Sequence, residues 1–127
     1  MEGFNRISMI GSLVEEPELK KIKDWDLLAF RLASVSTINR KNAEPMKETC
    51  YIDVSLFGMR AADMFPLLHK GTEVHVDGRL KLDSWVNKEG QKQSKHCIKA
   101  DNIIVVEENS PIGGGLVTSA SFEQPFE

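Results

Sequence analysis

Residues 50–57 read Cys50-Tyr51-Ile52-Asp53-Val54-Ser55-Leu56-Phe57, and their alternation decides the fold class. Successive side chains of an extended strand point to opposite faces. Ile52, Val54 and Leu56 therefore share one face and make a core stripe. Tyr51, Asp53, Ser55 and Phe57 share the other. The core does not need two aromatic rings on that mixed, outward face, and they mark a candidate binding surface.

On the N-terminal side, residues 27–36 (LLAFRLASVS) predict a strand with Leu28, Phe30 and Leu32 on one face. Residues 5–14 (NRISMIGSLV) predict another, ending at the turn signal Glu15-Glu16-Pro17. The lysine-rich stretch from Lys20 to Lys23 reads as the connection between them, and residues 39–48, polar with Pro45, read as a hairpin loop. On the C-terminal side, residues 59–69 (MRAADMFPLLH) predict one short helix. It is broken near Pro66, where proline removes a helical hydrogen bond and clashes with the turn before it. Lys70-Gly71 closes the segment as a helix C-cap does. A fourth strand places Val74, Val76, Leu80 and Leu82 on one side and Glu73, His75, Asp77, Arg79 and Lys81 on the other. Gly78 in its middle marks a bend. The polar stretch from Asp83 to Lys95, with Trp85 in it and a turn at Asn87-Lys88-Glu89-Gly90, reads as the tip of a long hairpin. The fifth strand runs from about His96 to Val106.

Five short strands, with one short helix between the third and fourth, is the order of the five-stranded OB-fold barrel, an all-β architecture. That domain covers residues 1–108. Residues 109–127 contain Gly113-Gly114-Gly115 and several serines but little apolar surface. Such a segment cannot offset its ordering entropy, so a flexible C-terminal tail is expected.

The bulk properties agree with one ordinary domain: 127 residues, 41% hydrophobic and 28% charged. No apolar run approaches the roughly 20 residues that span a bilayer, and the N-terminus lacks the layout of a signal peptide. A cytoplasmic protein with reduced thiols at Cys50 and Cys97 is expected. The formal net charge is -3, yet all 16 Lys and Arg residues fall at or before Lys99. Without residues 109–127 and their two acids, Glu123 and Glu127, the domain carries 17 acidic against 16 basic residues. That balance permits a basic groove without requiring one.

A series of short strings now becomes informative. Asn5-Arg6-Ile7, Gly11-Ser12-Leu13 and Glu16-Pro17-Glu18 come first, then Phe30-Arg31-Leu32-Ala33 and Leu56-Phe57-Gly58. Lys70-Gly71, Val76-Asp77-Gly78-Arg79-Leu80 and Ser84-Trp85 follow. In that order and spacing, across residues 4–106, the series resembles the bacterial single-stranded DNA-binding protein (SSB) family. The resemblance implies an OB fold, usually a homotetramer, that wraps single-stranded DNA without strong sequence preference during replication, recombination and repair. It implies no enzymatic step and no cofactor. Carried over by position, Tyr51, Phe57 and Trp85 match the rings on which bases stack, and Arg6, Arg31, Lys70, Arg79 and Lys81 are candidate phosphate contacts.

Three positions depart from the pattern. Ile38 stands where the family often has another stacking tryptophan, and Asp53 and Asp83 stand where many members carry arginine. Fewer phosphate contacts mean a shallower salt dependence than a typical member shows. Trp25 has no stacking counterpart and reads as a cover over the barrel end. At the C-terminus, Phe122-Glu123-Gln124-Pro125-Phe126-Glu127 resembles the acidic Pro-Phe peptide with which family members dock replication and repair proteins. Pro125 and Phe126 match, but Glu127 moves the free carboxylate one residue on. A docking peptide and a solvated remnant both remain open.

Other chemistry finds little support. The histidines and cysteines lack the paired spacing of a zinc motif, and no phosphate-binding loop or nucleophile elbow is present. Two rivals stay beside single-strand binding. One is a primosomal-replication-type OB protein, which generally lacks the Pro-Phe tail. The other is an OB interaction module that has lost DNA binding, a reading favoured by Ile38, Asp53, Asp83 and the near-neutral charge.

Overall fold

A computed structural model describes residues 1–106. The expectations for residues 109–127, Pro125 and Phe126 among them, lie outside the described residues. The elements are β1 (Ile7–Leu13), β2 (Glu18–Ile22), β3 (Trp25–Ile38), β4 (Met46–Phe57), α1 (Met59–Met64), β5 (Glu73–Val86) and β6 (Lys92–Val105). A 3-10 turn over Phe65–Leu67 follows α1 directly.

Five strands close a ring. β1 pairs antiparallel with β5, β5 with β6, and β4 with β3, while β4 and β6 run parallel through Asp53–Cys97, Val54–Ile98 and Ser55–Lys99. β3 returns to β1 through Ser12–Ala33 and Leu13–Leu32, which shuts the barrel. One parallel pair in an otherwise antiparallel five-stranded barrel, with the helix between the third and fourth barrel strands, is the OB fold expected from the strand order.

The core stripes hold. Leu28, Leu32, Val54, Val74, Val76 and Ile98 are fully buried, and Ala61 of α1 and Leu68 behind it are buried in the same core cluster. Each buried Leu, Val or Ile side chain contributes about 1.5–3 kcal/mol relative to exposure. Closure also requires two close backbone approaches. A Cβ on Gly11 would collide with the Ala33 carbonyl, where β1 crosses from β5 to β3. A Cβ on Gly78 would collide with the Lys99 carbonyl, beside the register shift that separates Asp77–Asn102 from Gly78–Ala100. The bend read at Gly78 is therefore a tight strand crossing.

Three element readings need correction. The stretch from Lys20 to Lys23 is mostly strand: β2 pairs with the first half of β3, from Glu18–Ala29 to Ile22–Trp25. A two-residue turn at Lys23 and Asp24 joins them, with Lys23 in the left-handed region at φ 57. Every β2 residue is exposed, so no buried face imprinted an alternation on its sequence. The β3–β4 hairpin is longer than residues 39–48 suggested, with pairing out to Ile38–Met46. The stretch from Asp83 to Lys95 is likewise mostly paired strand, with only residues 87–91 turning. There the Asn87 side-chain oxygen accepts from the backbone N–H groups of Glu89 and Gln91. Leu80 and Leu82 keep the side read for them, with Val74 and Val76, but lie beyond the last β1–β5 pair at Ile7–Gly78 and are exposed on this arm.

Candidate nucleic-acid interface

The outward residues of β3, β4, β6 and β5 form one continuous face, because cross-strand partners point to the same side of a sheet. On β4 it carries Tyr51, Asp53, Ser55 and Phe57. Register places Arg31 beside Asp53, Lys99 beside Ser55, Arg79 beside Lys99 and Lys81 beside Cys97. Trp85 lies farther along β5, opposite Gln93. The three rings proposed from sequence are thus on one face, with Tyr51 56% exposed and Phe57 and Trp85 45% each.

Each ring has a cation close to it. The Arg31 guanidinium carbon is 5.6 Å from the Tyr51 ring centre, Lys95 Nζ is 5.9 Å from Trp85, and Lys99 Nζ is 5.9 Å from Phe57. A cation within about 6 Å of a ring is attracted to its quadrupole. It also leaves a positive charge beside the place where a base would lie flat on the ring. Lys95 and Lys99 were missed in the sequence reading. Their two-residue spacing from Cys97 was visible, but only the β5–β6 register shows which side of the barrel they occupy.

The acids on this face hold its cations. Arg31 Nη1 donates to Asp53 Oδ1 at 3.1 Å, and the Lys95 ammonium donates to Asp53 Oδ2. Lys81 Nζ donates to Asp83 Oδ1 at 2.8 Å, and the Cys97 thiol donates to Asp83 Oδ2 at 3.3 Å. These two hydrogen bonds, Lys81 first, hold the Asp83 carboxyl below its ordinary pKa. The same bond raises Lys81. Burial, then the bond to Asp83, pushes the Cys97 thiol up. Between these pairs and the loop after β1 runs a groove of about 440 Å³, lined by Glu16, Glu18, Arg31, Asp53, Asp83 and Lys95 among others. The groove lining carries five acids (Glu15, Glu16, Glu18, Asp53 and Asp83) against three cations (Lys20, Arg31 and Lys95), so the centre of the face leans acidic.

The remaining candidate cations divide. Arg79 and Lys99 form no ion pair with any described residue. Arg6, which continues the β1 register toward Arg79, is paired to Asp101 at 2.9 Å. Its neighbour Asn5 pins the chain to Leu80 by accepting from the backbone N–H and donating to the carbonyl. Lys70 lies apart from the sheet face, in the turn before β5, where its backbone N–H donates to Glu16. Trp25 does not cover a barrel end: it is 60% exposed, on the same outward side of β3 as Arg31. Among the described residues no His, Cys, Asp or Glu group could hold a metal ion, and no helix is long and apolar enough to cross a membrane.

A closed OB barrel with an aromatic, cation-bearing sheet face defines a class of binding protein. Within that class the chain belongs to the single-strand binding protein family, whose model matches residues 4–106. It is 30% identical to a single-stranded DNA-binding protein of Wolinella succinogenes, over 88% of this chain and 70% of that one. It is 35% identical to one of Helicobacter hepaticus, over 79% of this chain and 59% of that one. Among solved structures it resembles the single-stranded DNA binding protein from Thermus aquaticus, with a TM-score of 0.74 and 28% identity over 84% of this chain and 52% of that one. The fold also matches a Plasmodium falciparum SSB in complex with ssDNA, with a TM-score of 0.76 at 22% identity, covering 84% of this chain and 98% of that one. Family membership favours single-strand binding over both rival readings.

Proposed function

We propose that this protein binds single-stranded DNA without strong sequence preference and protects it during replication, recombination and repair. The observation that carries the reading is the pairing of ring and cation: Tyr51 with Arg31, Phe57 with Lys99 and Trp85 with Lys95, all on one sheet face. Stacking contributes about 1–3 kcal/mol per base in single-strand-binding OB folds as a group, and it tolerates any base. Arg79 and Lys99 meet phosphates directly. Arg31, Lys95 and Lys81 do so by leaving their acids, and Arg6 by leaving Asp101. Lys70 serves at the edge of the path. The action is passive, with no catalytic step and no cofactor, in the cytoplasm. A homotetramer presents several such faces to one strand, and Pro125 and Phe126 dock replication and repair proteins.

The test is tryptophan fluorescence during titration with long, unstructured oligo-dT at low and moderate salt. Quenching with a salt-sensitive affinity is expected. The slope of log affinity against log salt should be shallow, since each phosphate neutralised on a single strand adds only about 0.7 and several cations begin already paired. Absence of both quenching and affinity at low salt rejects the reading in favour of an interaction module.

A further inference from the structure

We propose that Trp25 is a fourth base-stacking position, extending the track beyond Phe57 onto the β2–β3 hairpin. This rests on the single-strand reading above. Trp25 shares the outward side of β3 with Leu27, Ala29 and Arg31, while the alternate residues Leu28, Phe30 and Leu32 are buried. Leu27 stands opposite Phe57, so Trp25 is the diagonal neighbour of Phe57. Such neighbours are about 7–8 Å apart, within reach of aromatic side chains. The Gly58 backbone N–H donates to the Asp26 carbonyl at 3.0 Å, which carries the β3–β4 alignment past the end of β4 and holds this corner.

The surroundings fit a base. Ile22 is directly opposite Trp25 and 44% exposed, giving the indole an apolar flank instead of a lid. Lys20, opposite Leu27, faces the same side and is exposed, with its ammonium 3.3 Å from Glu18, so a cation stands near this corner without lying over the indole. Nothing in the barrel needs an indole here: the core is complete without it, and 60% of its surface is open. Continuity with the aromatic face singles out a nucleic-acid base as the occupant. At the far end of β3, Ile38 offers no ring, and its even position in the unbroken β3–β4 ladder puts it on the opposite side of the strand from Trp25 and Arg31.

The chain has two tryptophans, so in Trp85→Phe all tryptophan emission comes from Trp25. Affinity is read from the anisotropy of labelled oligo-dT for the wild type, Trp25→Phe and Trp25→Ala, with melting curves to show that each variant is folded. Trp25→Ala should weaken binding roughly 5- to 100-fold, the loss of about one stacked base. Trp25→Phe should keep most of the affinity, and oligo-dT should quench the Trp25 emission of Trp85→Phe. If the wild type binds and Trp25→Ala binds equally well, the inference is overturned and the single-strand reading stands. An equal affinity with a changed oligomeric mass would assign the indole to a protein interface instead. If the wild type itself fails to bind at low salt, the functional reading falls first.

Discussion

Asp53 separates two views of this face. It accepts from both Arg31 and Lys95, so two cations that could meet phosphates already have a counter-ion. These groups are partly exposed, and each pair adds little to stability. Its effect on binding is larger, because a phosphate must displace the carboxylate from each cation it takes. Asp53→Asn is therefore expected to tighten oligo-dT binding several-fold and to steepen the salt slope by about 0.7 for each cation released. Isotherms at four salt concentrations measure both quantities, and an unchanged slope would show that these cations never reach the DNA. Asp83 holds Lys81 in the same way. Its lowered pKa means that its contribution to stability is present above the ordinary carboxylate value of 3.8 and is lost as pH falls through the folded value.

Strands rather than side chains set the accuracy of the site. The four-strand face depends on the β5–β6 ladder, which runs from Val74–Val105 to Val86–Lys92 with a single register shift at Asp77 and Gly78. Gly78 permits that shift because the Lys99 carbonyl occupies the space a Cβ would need. Gly78→Ala should force the strands apart and lower unfolding stability by about 1–3 kcal/mol, the usual cost of overpacking. Urea unfolding at constant m-value measures it. Oligo-dT affinity should fall as well, since Arg79 and Lys99 flank the strained pair. A variant as stable as the wild type would mean that the β-bulge does not require glycine.

At the scale of the whole molecule, the buried core among the described residues lies between Leu13 and Val106. A chain ending at residue 108 should therefore melt at the same temperature as the full protein and bind oligo-dT at least as well. Deleting only residues 125–127 should leave DNA affinity intact and abolish docking of replication and repair proteins. Those readouts are independent, so a truncated chain that melts lower would place tail contacts on the barrel. Loss of DNA affinity on the three-residue deletion would reassign Pro125 and Phe126 away from partner docking. Sedimentation of the same chains gives the oligomeric mass, expected at four copies in both.

Local alternation was enough to reveal the five barrel strands and the outward position of Tyr51 and Phe57, because burial on one side leaves a period of two in the chain, while Pro66 marked where the helix breaks. The ordered strings added Trp85 and the family. Alternation failed wherever neither face is buried. β2 was read as a connection, and the two long hairpin arms were cut short, since an exposed strand has no hydrophobic imprint to read. Register across strands is a long-range property, and from it came the features that no local pattern carries. It brought Lys95 and Lys99 to the rings, closed Asp53 onto Arg31 and Lys95, and turned Trp25 from a presumed cover into an open indole next to Phe57.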